Sequence, residues 1–187
     1  MKDTFEEIFV HHTSATLKGY KAGSLFSHRP SCVVMFREKL RTLDQALHKK
    51  GVQIHMIDRN SGSMLIFVYR PKLIEAMLSQ PELQCFLCEL GYPVNKGYEA
   101  NVEHLLKKLT EYDDFPHEIG LFLGYPLDDV LGFITNKGKN FAFSGLWKVY
   151  SQPDIAKERF ELFQRCREHC LECLREGQSV LQIVHAA

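Results

Sequence analysis

The 187-residue chain contains no apolar run approaching the roughly 18 residues that a membrane-spanning helix needs. It also lacks an excess of either charge: 23 basic residues face 23 acidic ones, which removes the broad positive field that nonspecific nucleic-acid binding draws on and leaves only local patches. The opening MKDTFEEIFV carries acidic residues where a secretory leader carries positive charge followed by a long apolar core. These absences give the expectation of a soluble, cytoplasmic protein with no membrane partner and no nucleic-acid partner. There is no GxxxxGK[ST] phosphate loop, no dinucleotide-binding fingerprint, no nucleophile triad signature and no metalloprotease motif, so the sequence names no reaction. It leaves open whether the chain is an enzyme, and it says nothing of oligomeric state.

What is there fits an ordinary globular domain. An apolar share of 45% with 25% charged residues is a typical balance, and a chain of this length buries about 70% of the surface its unfolded form exposes. The expectation is one compact domain over residues 1–187. Six cysteines in a cytoplasmic setting read as thiols rather than as a disulfide framework. Cys85 with Cys88 and Cys170 with Cys173 have CxxC spacing, and Cys166 and His169 add two possible ligands. Each pair falls in a helical pattern, FLCEL or CREHCLECL, whereas zinc-ribbon pairs sit in turns, so structural thiols are the expected reading.

Periodicity supplies the elements. Asp3 or Thr4 caps a short helix carrying Phe5, Ile8 and Phe9, and the polar stretch HHTSATLKGYKAGSLFSH then reads as loop. Val33, Phe36, Leu40, Leu43 and Leu47 mark one helical face that stops at Gly51. VQIHMI and MLIFVYR, separated by DRNSGS, form a β-hairpin signal. Pro71 and Pro81 each open a helix, Gly91 ends the second, and an amphipathic helix covers Glu99 to Leu109. The tetrapeptide LGYP occurs twice, at Leu90–Pro93 and Leu123–Pro126; in each copy glycine stops a helix, tyrosine covers the corner and proline starts the next segment. TNKGKN makes a turn, FAFSGLWKVY one or two short strands, and Asp154 begins a last long helix whose expected buried side carries Ile155, Phe160, Phe163, Cys166 and Cys170. The tail SVLQIVH is too short to assign. The expected class is α+β, a small sheet covered by several helices, with strand direction undetermined.

Two regions carry the chemistry-bearing residues. The first is residues 11–23, where His12, Thr16, Lys21 and two glycines combine imidazole, hydroxyl, ammonium and free loop amides, a set suited to phosphate or carboxylate. The same residues equally suit a surface loop whose hydroxyls cap the next helix. The second is residues 115–150, FPHEIGLFLGYPLDDVLGFITNKGKNFAFSGLWKVY. His117 there is a candidate for proton transfer, being of the one side-chain type whose charge ordinarily changes near neutral pH, and Glu118 is a candidate for orienting a neighbour or taking a proton. Lys148, with Lys21, is placed to neutralise an anion, while Tyr125, Trp147 and Tyr150 offer apolar walls with polar tips. Each also has a plain structural use: His117 as a cap, Glu118 on a helix dipole, Trp147 and Tyr150 as core.

The segments HHTSATLKGYKAGSLFS, LIFVYRPKL, FPHEIGLFLGYPLDDVLGFITNKGKN and GLWKVY, in this order, resemble an uncharacterised bacterial family, a domain of unknown function common in anaerobic Firmicutes, and the likeness covers nearly the whole chain. The family's early motif, His-Cys-Ala-Pro-Thr-Leu-x-Gly, places its histidine on His12, its threonine on Thr16 and its glycine on Gly19. Thr13 and Ala15 stand where the family often has cysteine and proline, which argues against an indispensable thiol in this segment. The resemblance implies no established activity.

Three functions remain in view. The first is binding of a small anionic molecule, with proton transfer through His12, His117 and Glu118 and ligand contacts from Thr16, Lys21, Tyr125, Trp147, Lys148 and Tyr150. The second is a metal or haem site using His12 and His117, with Glu118 or a cysteine as a further ligand, although no specific motif names the ion. The third is a noncatalytic adaptor or regulator built on the helix-turn-helix-like stretch HEIGLFLGYPLDDVLGFI; against DNA reading, its second helix would present Asp128 and Asp129 to phosphates. The first reading requires the two polar regions to meet in space.

Overall fold

A computed structural model describes residues 4–59, 62–111 and 115–184. The first helix, α1 (Phe5–Leu17), starts at a capping box: the Thr4 hydroxyl accepts from the Glu7 amide at 3.2 Å and the Glu7 carboxylate accepts from the Thr4 amide at 2.7 Å. Asp3, the other cap expected, lies outside the described residues. The helix runs well past Phe9, so His11 to Thr16 are helical and not the loop that their polarity implied. The reason is that their hydroxyls find partners inside. Thr13 donates to the Phe9 carbonyl at 2.6 Å, Thr16 shares a 2.9 Å bond with Ser24, and Thr13, Ser14 and Thr16 are buried beside Phe9, Val10 and Leu17. Arg70 holds the end of this helix, donating to the carbonyls of Thr16 at 2.6 Å and Leu17 at 2.5 Å.

Residues 18–22 keep the expected loop, and the end of the stretch supplies a strand, β1 (Gly23–His28). Then come α2 (Val33–His48) and the expected hairpin, β2 (Gln53–Asp58) and β3 (Met64–Tyr69); Asn60 and Ser61 of its loop lie outside the described residues. The sheet order is β1-β3-β2 with both pairings antiparallel, Leu25 opposite Phe67 and His55 opposite Phe67 on the other side. All six residues of β3 are buried, because the sheet is covered on both faces. Leu65, Phe67 and Tyr69 point into one core with Ile74, Leu87, Leu105, Leu109 and Phe122. Met64, Ile66 and Val68 point into the other with Phe9, Leu17, Leu40, Leu47 and Cys170. Burial of each large side chain contributes roughly 1.5–3 kcal/mol.

The first core is built by α3 (Pro71–Leu78), α4 (Pro81–Glu89), α5 (Gly97–Glu111) and α6 (Ile119–Phe122), with Val130 of α7 (Leu127–Thr135). Prolines open α3 and α4 as the sequence indicated. Both LGYP corners take the expected form. Gly91 and Gly124 adopt φ of +84° and +81°, and the amides of Tyr92 and Tyr125 return to the carbonyls of Leu87 and Gly120. The chain finishes with a two-residue ladder, β4 (Phe143–Ser144) and β5 (Lys148–Val149), the long α8 (Pro153–Arg175) lying along α1, and α9 (Val180–Ile183). His185 of the unassigned tail lies outside the described residues. The result is α+β: a small antiparallel sheet between two helical layers, with a third apolar cluster where Trp147, Val149, Phe163 and Ala15 join the ladder, α8 and α1. Among the described residues no helix is long and apolar enough to cross a membrane.

Candidate functional site

The packing of α1 against α8 leaves a cavity of about 380 Å³. Its polar wall comes from His11, His12 and Ser14 on α1, Lys21 and Ser24 on the following segment, and Gln164 and Arg167 on α8. Its apolar wall includes Leu123, Tyr125, Leu146, Phe160 and Phe163. No aspartate or glutamate is among the lining residues. The charged groups on its wall are the Lys21 ammonium and the Arg167 guanidinium, with two imidazoles beside them and no carboxylate.

Lys21 is the most perturbed of these groups. Among the described residues its amine has no hydrogen bond or ion pair; it sits 5.3 Å from the centre of the Tyr125 ring. Desolvation, reinforced by the nearby Arg159 guanidinium, brings its pKa down from the usual lysine value to about 8. Arg159 in turn donates to the Gly124 carbonyl at 3.1 Å and lies over Trp147. His12 stacks on Phe26 with ring centres 4.8 Å apart and meets His11 edge to face at 5.0 Å. Its pKa is lowered by loss of solvation first, then by His11 and Arg167, which favours the neutral imidazole.

A second cavity of about 310 Å³ adjoins the first, and Tyr125 and Leu146 line both. This one is aromatic, with Phe115, Pro116, Phe133 and Trp147 among its walls, and it contains His117 and Lys148. His117 is exposed and packs edge to face on Phe133 at 5.0 Å. Lys148 donates to the Gly138 carbonyl at 2.6 Å and lies over Phe133 and Phe141. The structure thus brings His12, Lys21 and Tyr125 to one cavity and His117, Tyr125, Trp147 and Lys148 to its neighbour.

Three of the candidate residues line neither cavity. Glu118, although adjacent to His117 in the chain, turns into the protein: its buried carboxylate pairs with Lys108 of α5 and accepts from the Tyr92 hydroxyl at 3.1 Å. His117 and Glu118 lie in the turn that leads into α6, and there the two side chains part, one to the surface and one inward. Thr16 faces Ser24. Tyr150 packs its ring against Gly132, where a Cβ would stand 2.4 Å from it, and its buried hydroxyl has no hydrogen-bond partner among the described residues. That contact accounts for a glycine in the middle of α7. The six cysteines are free thiols, with Cys85 and Cys88 exposed on α4 and Cys166, Cys170 and Cys173 buried on α8. Among the described residues no three His, Cys, Asp or Glu side chains gather into a metal-holding group.

Sequence reasoning missed Arg167, Gln164 and Asp129. The signal for the first two was present: positions 160, 163, 164 and 167 share one helical face, and the polar residues border its aromatic stripe. Asp129, which the helix-turn-helix reading would present to phosphates, is buried and accepts from Trp147 Nε1, from the amides of Tyr150 and Ser151, and from the Ser151 hydroxyl.

The fold and site therefore define an α+β protein with a cation-lined cavity beside an aromatic one. A family model described as "Protein of unknown function (DUF3793)" matches residues 9–184, and the chain belongs to that family. Neither the curated proteins nor the solved structures contain a match to it.

Proposed function

We propose that this protein binds a small anionic molecule in the cavity between α1 and α8 and that His12 moves a proton on it. The observation that carries this reading is the lining itself: Lys21, Arg167 and two histidines surround the space, and no acidic side chain offsets them. A carboxylate or phosphate supplies the missing countercharge, with Arg167 offering a planar fork and Ser14 and Ser24 hydroxyls beside it. A neutral imidazole held against Phe26 is in the form that accepts a proton near neutral pH. The aromatic cavity across Tyr125 and Leu146 suits an apolar portion of the same molecule, with His117 at its edge.

The test is thermal stabilisation by inorganic phosphate, acetate and benzoate at constant ionic strength. A ligand that binds only the folded state raises Tm with concentration. The expected result is stabilisation in the wild type that is lost in Arg167→Gln. Equal shifts in both proteins, or none in either with any of the three anions, would overturn the reading. If benzoate stabilises more than acetate and Trp147→Leu removes the difference, the aromatic cavity takes part.

A further inference from the structure

We infer that Lys21 is a nucleophilic amine that forms an imine with a small carbonyl compound carrying a carboxylate or phosphate. This rests on the anion-binding reading above and adds a reacting group to it. Three independent features of position support it. Lys21 lines the cavity, yet among the described residues its amine has neither a carboxylate partner nor a hydrogen bond, in contrast to Lys108, which pairs with Glu118, and Lys148, which is tied to a carbonyl. A lysine serving only to hold the fold together would be expected to have such a partner. Arg159 of α8 and the Tyr125 ring lie next to it, and the titratable groups that share its cavity wall are His11 and His12 of α1 and Arg167 of α8, so nothing anionic on the wall favours its ammonium form. The arginine in the same cavity leaves the anionic end of a ligand a partner other than the amine, which stays available for a neighbouring carbonyl carbon.

The desolvated setting agrees with that role, since a lysine titrating at about 8 has a substantial neutral fraction at physiological pH, where an ordinary lysine has almost none. In the step itself, the nitrogen lone pair attacks the carbonyl carbon and a C–N bond forms while the C=O π pair moves to oxygen. Both amine protons pass to that oxygen, with a neutral imidazole such as His12 as relay, and it departs as water as the C=N bond forms. One amine and one carbonyl give one imine and one water, and no oxidant or reductant is involved.

The experiment is reductive trapping. The purified full-length chain is incubated with pyruvate or, separately, dihydroxyacetone phosphate in the presence of cyanoborohydride, and modified peptides are mapped by mass spectrometry. The two carbonyl compounds distinguish a carboxylate from a phosphate as the anionic group. The expected result is an adduct on the Lys21 peptide that forms at least about tenfold faster than on any other lysine peptide, as a lowered pKa requires. Its rate should be half-maximal near pH 8. Lys21→Arg, checked for folding by circular dichroism, should lose that adduct and keep the slow background on other lysines. The wild-type peptide map decides the matter even if the variant does not fold. Adducts spread evenly over surface lysines would overturn the inference. Binding of inorganic phosphate or acetate to the wild type without a Lys21 adduct would overturn it while leaving the anion-binding reading intact; failure of both would remove the two together.

Discussion

The indole Nε1 of Trp147 donates to the buried Oδ2 of Asp129 at 2.7 Å, fixing the β4–β5 ladder to α7. The other oxygen of the same carboxylate takes the amides of Tyr150 at 2.8 Å and Ser151 at 2.9 Å. One side chain thereby satisfies the turn that leads into α8 and orients the wall that separates the two cavities, because Trp147 stacks on Tyr125 at 4.6 Å. A carboxylate accepting several N–H groups is charge-assisted at each, which is why it is stable inside the protein without a lysine or arginine in direct contact.

Asp129→Asn therefore replaces an acceptor with a donor on one side and should destabilise the fold by about 2–4 kcal/mol. Chemical denaturation followed by the fluorescence of Trp147, the one tryptophan of the chain, measures it. Tyr150→Phe is the control: it removes a buried hydroxyl that has no partner among the described residues and keeps the amide that Asp129 uses, so stability should be unchanged or slightly higher.

Breaking the Lys108–Glu118 pair should separate structure from chemistry. Lys108→Met leaves the Glu118 carboxylate buried with only Tyr92 to solvate it, at a cost of about 3 kcal/mol, and adding Glu118→Leu should recover most of that loss. Urea midpoints of the single and double variants test this. Neither residue lines the cation-lined cavity, so phosphate stabilisation should persist in the double variant; its disappearance would point to a role for Glu118 in binding.

Lys21 makes the protein's stability depend on alkaline pH in an unusual direction. Its pKa is about 8 when folded and near the 10.5 of an ordinary lysine when unfolded, so between these values the unfolded chain holds the extra proton and stability rises with pH. Below about 8 the full cost of the desolvated charge is present. Lys21→Met, which keeps the apolar stem, should be more stable than the wild type at pH 7 by about 2–3 kcal/mol, with the gap closing above pH 8. Thermal melts of both proteins across that range give the answer.

Acid should weaken the fold before the carboxylates titrate. His12, His28, His55 and His104 all have pKa values lowered, chiefly by loss of solvation, so the unfolded chain takes up protons first as pH falls below the ordinary histidine value of 6.5. The stability they contribute is intact above that value and is lost as pH drops through it. Urea midpoints should decline between pH 6.5 and 5, and His12→Gln should flatten part of the decline.

What the sequence determined by itself was everything that depends on neighbours within a turn or two of the chain. The hairpin of β2 and β3, the proline starts of α3 and α4, the two LGYP corners and the long α8 are local matters of periodicity, fixed φ and glycine's access to positive φ. That His12 and Lys21 belong together was also legible, because residue type and spacing put both in one polar segment, and the two line one cavity. Tertiary structure decided the rest. The helix through His11 to Leu17 tolerates its hydroxyls because Thr13 bonds back to Phe9 one turn earlier, Thr16 pairs with Ser24 of β1, and both are buried once other elements pack over them; no apolar repeat records that. Glu118 leaves the site because Lys108 and Tyr92 attract it inward, whereas Arg167 enters because α8 returns along α1. Hydrophobic periodicity states which face of a helix will be covered, but charge and hydrogen-bond partners are chosen only once the chain has closed on itself. The cavity, which belongs to no single element, arises at that point.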